Sequence, residues 1–304
     1  MLLVKRNARV INRRLSERIA PAVFLAPAVI LLVAISLIPI FYALNISFLR
    51  YNLARPAKTI RFYGLENYVK ILTDPKFLDS VGWTLQFAVC SLIVEVTLGL
   101  GIALMLNSDF AKRYSAPFKT LFIIPMMIAP VVSATIWKLM FYPVYGILNN
   151  TLVLLGGTAV NWLGEVSYAK LAIIIVEVWG ATPFCILVFQ AALKTVSTEM
   201  LEAARVDGAS GTRTFFKIIL PTIRNFLALV ITIRLSDTLR AFDAVMQLTN
   251  GAPGVSTETI GTTIYKTAFR YSDVGQGSAG AFIFFILVSL VALISMKIMR
   301  KQAD

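Results

Sequence analysis

Four charged residues recur at intervals of three in an otherwise apolar stretch of the sequence. Their signs alternate along the chain: Arg234, Asp237, Arg240 and Asp243. Residues three apart share a helix face, so each charge would have an opposite partner within reach, although each step drifts by about 60° around the helix. Ionisable groups at membrane depth are costly and are functional candidates. The face predicts either the lining of a water-filled path or a neutralised structural network at a contact with another subunit.

Two further acids, Glu95 and Glu177, stand alone in apolar stretches. A proton relay through them would need partners such as histidine, and the sequence contains no histidine. The other interpretation is a protonated or hydrogen-bonded acid in a packed helix contact. We therefore expect a structural role for both acids.

The composition places these charges in a membrane protein. Of the 304 residues, 58% are hydrophobic and 15% are charged, against roughly 25% charged in an average globular protein. Without histidine the chain lacks the commonest metal ligand. Cys90 and Cys185 fall in apolar segments and read as small buried residues, not as a disulfide or zinc site. We expect no metal or cofactor on this chain, and the net charge of +13 indicates topology signals, not nucleic-acid binding.

Six segments are long and apolar enough to cross a bilayer, which takes about 20 residues each. The sequence therefore predicts an all-α membrane protein with a basic N-terminal tail (1–21), a six-span domain (22–299) and a C-terminal tail (300–304). The first apolar run is too long for a signal peptide and predicts a retained anchor. The spans are predicted at 22–46, 82–106, 119–140, 170–193, 222–248 and 277–298.

Lysine and arginine concentrate on one side of these spans. They are frequent in both tails and in the loops 107–119 and 194–224, and they are sparser in the longer loops of the opposite side. Cytoplasmic loops carry such an excess. Both termini and the 194–224 loop are therefore predicted to be cytoplasmic.

The 194–224 loop has the residues that begin and end short helices. Ser197 can cap a first helix, and Gly208 can end it, because glycine adopts the left-handed conformation of a C-terminal turn. Ser210 can cap a second short helix, and Pro221 would stand at the entry to the fifth span. The pattern predicts a helix–turn–helix outside the membrane.

The same loop carries the sequence EAARVDGASGTRTFFKIILP, in which EAA is followed after three residues by glycine and, after nine more, by I-x-L-P. This spacing resembles the EAA loop of permeases of ATP-binding-cassette (ABC) importers. The segments EVWGATPF, AFDAVMQLTNGAPG and TIYKTAFRYSDVGQGSAGA resemble the carbohydrate branch of that family, in its short six-span form. The matched loop positions are Glu202, Ala203, Ala204, Gly208, Ile218, Leu220 and Pro221.

The resemblance implies a role for this loop. The helix 197–208 would be a coupling helix that docks in a cleft of a cytoplasmic ATPase subunit and moves with it. Small contact residues and a glycine stop suit a rigid element held in a pocket. The residues implied in coupling are Glu202, Ala203, Ala204, Arg205, Gly208 and Pro221.

The resemblance also implies a cargo and a mechanism. A sugar, oligosaccharide or sugar derivative would cross the cytoplasmic membrane of a bacterium or archaeon by alternating access. The polar face of span five would hydrogen-bond sugar hydroxyls, and Trp179 would help to shape the cavity. Whether the sugar is neutral or anionic stays open. The residues implied in the pathway are Arg234, Asp237, Arg240, Asp243 and Trp179.

Partners follow from the same resemblance. They are a second and different permease subunit, a dimer of ABC ATPases that holds the ATP and magnesium, and a periplasmic or lipid-anchored substrate-binding protein. The other expected partners are membrane lipid and the sugar itself, and no nucleic acid is expected among them.

The sequence lacks GxxxxGK[ST], HExxH and GxSxG, so it predicts a transport subunit and not an enzyme. One alternative is a secondary transporter or channel driven by an ion gradient, which predicts broken helices paired in two repeat halves. Another is a membrane scaffold without transport activity.

Overall fold

The computed structural model describes the backbone of residues 2–107 and 115–303, and the side chains of residues 23–107 and 120–297. In this part of the chain five helices are long and apolar enough to cross a membrane, and a sharply bent helix pair supplies a sixth span if the pair is counted as one. The predicted all-α membrane architecture is confirmed, with changes in the third and fifth spans. The long helices are Val23–Ser47 (within a longer helix), Pro75–Asn107, Val166–Leu193, Gly211–Leu239 and Val274–Lys297 (within a longer helix).

Short helices and a small sheet connect the spans. The strands β1 (Leu49–Arg50) and β2 (Arg61–Phe62) pair antiparallel. A 3-10 turn covers Ala57–Thr59. The helices are α1 Leu2–Ser47, α2 Glu66–Thr73, α3 Pro75–Asn107, α4 Ser115–Met127, α5 Pro130–Met140, α6 Ile147–Leu154, α7 Val166–Leu193, α8 Thr198–Val206, α9 Gly211–Leu239, α10 Asp243–Leu248, α11 Ile260–Tyr265 and α12 Val274–Ala303.

The third span, predicted as one helix over 119–140, is broken. Thr120–Met127 and Pro130–Met140 meet at an angle of 103°. Proline disfavours the helical conformation of the residue before it, and Ala129 accordingly has the extended angles φ −58° and ψ 139°. No side chain caps the new helix end at Ala129. The break therefore leaves backbone polar groups of two helix ends inside the span.

The fifth span, predicted over 222–248, lies at different bounds. The second short helix predicted in the 194–224 loop is not separate, because α9 runs from Gly211 to Leu239 without interruption. A π turn at Phe215–Ile219 precedes Pro221 and accommodates this residue, which has no N–H to donate. At the other end the helix stops at Leu239, and α10 begins at Asp243.

The interior of the bundle is formed by α3, α7 and α9. α3 and α7 pack along each other, and α9 lies against both. The contact between α3 and α7 is close at Gly99, where a Cβ atom would stand 2.4 Å from Cβ of Cys185. Phe87 and Phe189 are fully buried in this interior. α1 instead packs along α12 and leaves most of its apolar surface exposed.

The start of α3 has a side-chain hydrogen bond and a proline. Asp74 Oδ1 accepts a hydrogen bond from the N–H of Lys76 at 3.0 Å, and Pro75 is the first helical residue. Asp74 also ends the short helix α2, which precedes it. Proline at the first helical position costs no hydrogen bond, since its N–H would have no partner in the helix.

Candidate functional site

A buried ion cluster joins three membrane-spanning helices at Arg234. Its Nε donates to Oε2 of Glu95 at 2.8 Å, and its Nη2 donates to Oε1 of Glu95 at 3.2 Å. The same Nη2 donates to Oε1 of Glu177 at 2.6 Å. The side chain of Glu95 is fully buried, whereas that of Glu177 is 18% exposed. One guanidinium thus connects α3, α7 and α9.

The three-residue spacing predicts a pair between Arg234 and Asp237 on the same helix face. That contact is the longest of the cluster, with 3.6 Å between Nη1 of Arg234 and Oδ2 of Asp237. Arg234 contacts Glu95 more closely than Asp237, because a carboxylate on a facing helix can accept hydrogen bonds from the guanidinium with both oxygens. This two-oxygen geometry is the strongest for such a pair. Glu95 and Glu177 are hydrogen-bonded acids in helix contacts, as one of the two interpretations had it.

The predicted alternation of charges along the helix gives one further ion pair and then ends. Arg240 Nη2 donates to Oδ1 of Asp237 at 2.7 Å, and both side chains are about half exposed, at 58% and 44%. Arg240 also donates from Nε to the carbonyl of Ser236 at 3.0 Å. Asp243 lies beyond the end of α9, exposed at the start of α10, and no salt bridge reaches it within the described side chains. The predicted series of four alternating charges therefore forms ion pairs only as far as Arg240 among the described side chains.

A cavity of about 230 Å³ lies beside the buried cluster. It opens at the break between α4 and α5. Its wall includes Glu177 and Arg234 of the cluster, whose side chains are partly exposed. Ser133 in this wall is 6% exposed, and its hydroxyl has no hydrogen-bond partner among the described side chains. The lining residues are Pro125, Met126, Ile128, Pro130, Ser133, Val176, Glu177, Gly180, Ala181, Arg234 and Ala244.

Trp179 lies on the other side of α7. It forms an edge-to-face contact with Trp137, with 5.8 Å between ring centroids, and both rings line an apolar cavity of about 750 Å³ between α3, α4, α5 and α7. The structure therefore separates Trp179 from the charged pathway candidates Arg234, Asp237 and Arg240. The chemistry of the two cavities differs accordingly, because only the smaller one presents ionised groups.

The 194–224 loop has the caps that its sequence predicted. The hydroxyl of Ser197 accepts from the N–H of Met200 at 3.3 Å at the start of α8, and that of Ser210 accepts from Arg213 N–H at 3.3 Å at the start of α9. The Ser197 hydroxyl also donates to Glu199, and this bond holds the pKa of the Glu199 carboxyl below its ordinary value. Gly208 has φ +69°, in the left-handed region that glycine adopts without strain.

The two sides of α8 differ. Ala204 is 7% exposed and faces the body of the protein. The other five predicted coupling residues are all exposed: Glu202, Ala203, Arg205, Gly208 and Pro221. Two apolar side chains of the helix are also open to solvent, Val206 at 87% and Met200 at 50%. The helix is thus fixed to the spans by one side and offers a mixed apolar and charged surface on the other.

Sequence reasoning missed a second buried ion pair, which lies in the 249–276 segment. Lys266 Nζ stands 2.5 Å from Oε1 of Glu258, with side-chain exposures of 8% and 5%. Lys266 also donates to the carbonyl of Asn250 at 2.7 Å, and Thr263 donates to Oε2 of Glu258 at 3.0 Å. Residues eight apart in a helix are separated by about 12 Å along its axis, so the spacing could not have indicated this pair.

Comparison with known proteins relates the chain to membrane transport components. Residues 95–304 match the family described as binding-protein-dependent transport system inner membrane component. The trehalose/maltose transport system permease protein of Thermococcus litoralis is 37% identical over 80% of this chain and 81% of its own length. The sulfoquinovosyl glycerol transport system permease protein of Agrobacterium fabrum is 31% identical over 95% of this chain and 92% of its own length.

The fold also has a counterpart among solved structures. A chain of a bacterial ABC transporter involved in the import of the acidic polysaccharide alginate superposes with a TM-score of 0.82, covering 95% of this chain and 98% of that one. At 22% sequence identity, this similarity concerns the fold alone. The overall fold of this chain is therefore one that a chain of a known transporter shares.

Proposed function

This chain belongs to the family of binding-protein-dependent transport system inner membrane components, and we propose that it is the permease subunit through which an ABC importer moves a sugar or sugar derivative across the cytoplasmic membrane. Its similarity to proteins named for trehalose, maltose and sulfoquinovosyl glycerol transport supports the cargo class. Cargo release on the inner side and ATP hydrolysis on a partner chain complete the proposal.

The observation that carries the proposal is the geometry of the cytoplasmic loop. Three positions of the EAA pattern, Glu202, Ala203 and Ala204, fall on a capped helix whose outer side exposes charge and apolar surface together, while Ala204 packs inward. A carrier that works alone has no need of such an element. We assign Glu202, Ala203, Arg205 and Gly208 to contact with an ATPase subunit. Ala204 anchors the helix to the spans, and Pro221 stands where the loop enters α9.

α9 supplies the connection between that contact and the membrane interior. It is continuous from Gly211 to Leu239, so about 35 Å of helix, at 1.5 Å per residue, separates the loop from Arg234. A displacement of the loop by the ATPase would move Arg234 relative to Glu95 and Glu177, which lie on other helices. The cavity beside Arg234 would then open or close, as alternating access requires.

The pathway residues are proposed from exposure and chemistry. Arg234 lines the smaller cavity, and Asp237, Arg240 and Asp243 expose charge at the end of α9 and the start of α10. Charge exposed at membrane depth is stable only against water or another protein. We place these side chains along the pathway or at its border with the second permease. Trp179 is a pathway candidate only through the separate apolar cavity.

The proposed assembly has three kinds of partner. A second permease subunit would cover the exposed polar surface of α9, a pair of ABC ATPases would hold the ATP and magnesium, and a periplasmic or lipid-anchored protein would deliver the sugar. The distribution of lysine and arginine supports cytoplasmic termini. An ion-gradient-driven transporter would need broken helices in both halves of the chain. Within the described residues a single helix pair, Thr120–Met127 with Pro130–Met140, forms a broken span.

Purification tests the assembly. The tagged full chain, extracted from its native membrane in mild detergent, is expected to bring with it an ABC ATPase, identified by mass spectrometry and by Mg-ATP hydrolysis in the purified sample. A Val206→Asp variant alters the exposed face of α8 without touching the spans and should lose the ATPase. Retention of the ATPase by this variant, or a wild-type chain that transports alone after reconstitution, would contradict the proposal.

A further inference from the structure

We infer that Arg50, Arg61 and Lys70 bind the phosphate of an anionic phospholipid, in the leaflet that meets the C-terminal end of α1. The segment 50–76 contains six lysines and arginines against two acids. An excess of this kind is typical of cytoplasmic loops, whereas the distribution of charge along the chain predicts the opposite side for this segment. The inference goes beyond the proposed function and requires only that α1 crosses the membrane.

Two arginines face each other in the small sheet. β1 and β2 pair with Arg50 directly opposite Arg61. Side chains opposite each other in an antiparallel pair lie on the same face, with Cβ atoms about 4.5–5.5 Å apart, and like charges there are destabilising. The salt bridges among the described side chains all lie in other parts of the chain. Two neighbouring guanidiniums without a carboxylate partner suit an anion that comes from outside the chain.

The ring of Tyr63 brings a third cation to this pair. Cζ of Arg50 lies 5.8 Å from the centroid of the ring, and Nζ of Lys70, on α2, lies 4.8 Å from the same centroid. Both distances are within the range of a cation–π interaction. A guanidinium can bind a phosphate with two parallel hydrogen bonds, and a lysine adds a compact point charge. The three cations therefore have the chemistry of a phosphate site.

Hydrogen bonds fix the backbone of this site. Asn67, a buried residue of α2, donates from Nδ2 to the carbonyls of Ser47 and Leu49 at 2.8 Å each. The N–H of Tyr63 donates to the carbonyl of Phe48 at 2.8 Å. The end of α1, the hairpin and α2 are thus joined into one unit. A site that is held in place in this way loses little conformational entropy when a ligand binds.

The length of α1 places the hairpin at the level of the lipid headgroups. Residues 19–49 carry no charge, and α1 is helical as far as Ser47. From position 18 to Ser47 the helix measures about 44 Å at 1.5 Å per residue, and a bilayer with its headgroups is about 40–45 Å thick. Positions 18 and 50 therefore bracket the bilayer, and Arg50 stands where the phosphates of one leaflet lie.

Apolar side chains beside the cations favour a lipid over an acidic protein as the occupant. Phe62 follows Arg61 in β2 and is 75% exposed, and Leu65 and Val69 beside Lys70 are 64% and 55% exposed. Exposed cations next to exposed aromatic and aliphatic groups are typical of segments that lie in the membrane interface. A phospholipid supplies both a phosphate and an apolar surface, whereas an acidic protein surface would match the charges alone.

Native mass spectrometry of the full chain in detergent, titrated with phosphatidylglycerol or phosphatidylcholine, tests the inference. We expect tighter binding of phosphatidylglycerol, because the choline group of phosphatidylcholine adds a cation to a site that already holds three. Arg50→Gln with Arg61→Gln should weaken the binding of phosphatidylglycerol about tenfold or more. Arg50→Lys with Arg61→Lys keeps the charge but loses the paired hydrogen bonds, so its affinity should lie between those of the wild type and the glutamine pair.

The matched control is Arg55→Gln with Lys58→Gln, which removes the same charge from exposed positions outside the paired strands. It should change the affinity by no more than about threefold, since exposed charges are screened by salt. Equal binding of the two lipids by the wild type, or equal binding of phosphatidylglycerol by the wild type and the Arg50→Gln with Arg61→Gln variant, would overturn the inference. Loss of a co-purifying periplasmic protein from that variant, with lipid binding unchanged, would likewise overturn it and assign the hairpin to that protein.

Discussion

Arg234 Nε lies 2.8 Å from Oε2 of Glu95, a residue 139 positions earlier in the chain. The bond ties the helix that continues from the 194–224 loop to the centre of the bundle. It also fixes the guanidinium where it meets Glu177 at the wall of the smaller cavity. Glu95 is thus a positioning residue for Arg234 and does not itself line the cavity.

The buried pair should dominate the stability of the bundle. Arg234→Ala leaves Glu95 buried without its partner, and we expect a loss of about 3–5 kcal/mol. Arg240→Ala is the matched control, because its pair with Asp237 is about half exposed and such pairs contribute at most about 1 kcal/mol. Thermal unfolding of the purified chain measures both. Equal shifts in Tm would show that the cluster does not hold α9 to α3.

Gly208 tests the turn after α8. Its φ of +69° makes any other residue strained there, by roughly 1–2 kcal/mol. A Cβ atom at Gly208 would have no atom of this chain within 4 Å. The fold would therefore tolerate a bulky side chain here, whereas a docked partner would clash with it. Gly208→Trp should therefore reduce ATP-driven uptake at least tenfold while the protein still inserts and folds. Gly211→Ala, at a helical glycine three residues on, is the control and should transport normally.

The start of α8 should respond to acid. The Ser197 hydroxyl lowers the pKa of the Glu199 carboxyl. A lowered pKa in the folded state means that the ionised carboxylate stabilises the helix above the ordinary pKa, and that this contribution is lost as pH falls through the lowered value. Hydrogen-exchange protection of the Met200 amide should decrease across that acidic range. Glu199→Gln should remove the pH dependence, and an unaltered profile in this variant would contradict the role of the carboxylate.

The ion pair of the 249–276 segment offers a further test. Lys266→Met leaves Glu258 buried and unpaired, and we expect a loss of about 3–5 kcal/mol. Replacing both members by apolar residues, in Lys266→Met with Glu258→Leu, should restore much of that stability. Unfolding of the single and double variants measures the difference. A double variant no more stable than the single would mean that Thr263 and Asn250, which also bond to the pair, matter more than the charges.

The sequence predicted those parts of the structure that depend on local chemistry. Apolar runs located the spans, Ser197 and Gly208 bounded the exposed helix, and Asp237 paired with Arg240 because helical spacing places them together. The two single acids, Glu95 and Glu177, were placed correctly in helix contacts. Their shared partner was not foreseen, since spacing along one helix carries no information about which residue faces it across the bundle.

Three differences between the sequence predictions and the structure have the same origin in tertiary geometry. The third span was predicted as one helix from its mainly apolar composition, which does not record backbone conformation, and it breaks at Pro130. Pro221 failed to interrupt α9, since the π turn at Phe215–Ile219 accommodates it. Trp179 was grouped with the charged residues by resemblance, yet the two neighbours Glu177 and Trp179 line different cavities on opposite sides of α7.

Transport by the reconstituted importer tests the central claim most directly, namely that energy enters this chain through α8 and is used to move a sugar. Proteoliposomes containing the complete complex are loaded with ATP or with a non-hydrolysable analogue, and inward movement of labelled maltose and trehalose is measured for the wild-type chain and for Gly208→Trp. The account predicts uptake only with ATP and only in the wild type, while the variant complex still hydrolyses ATP or has lost its ATPase. Uptake that proceeds without ATP, or that is equal in the two proteins, would contradict it.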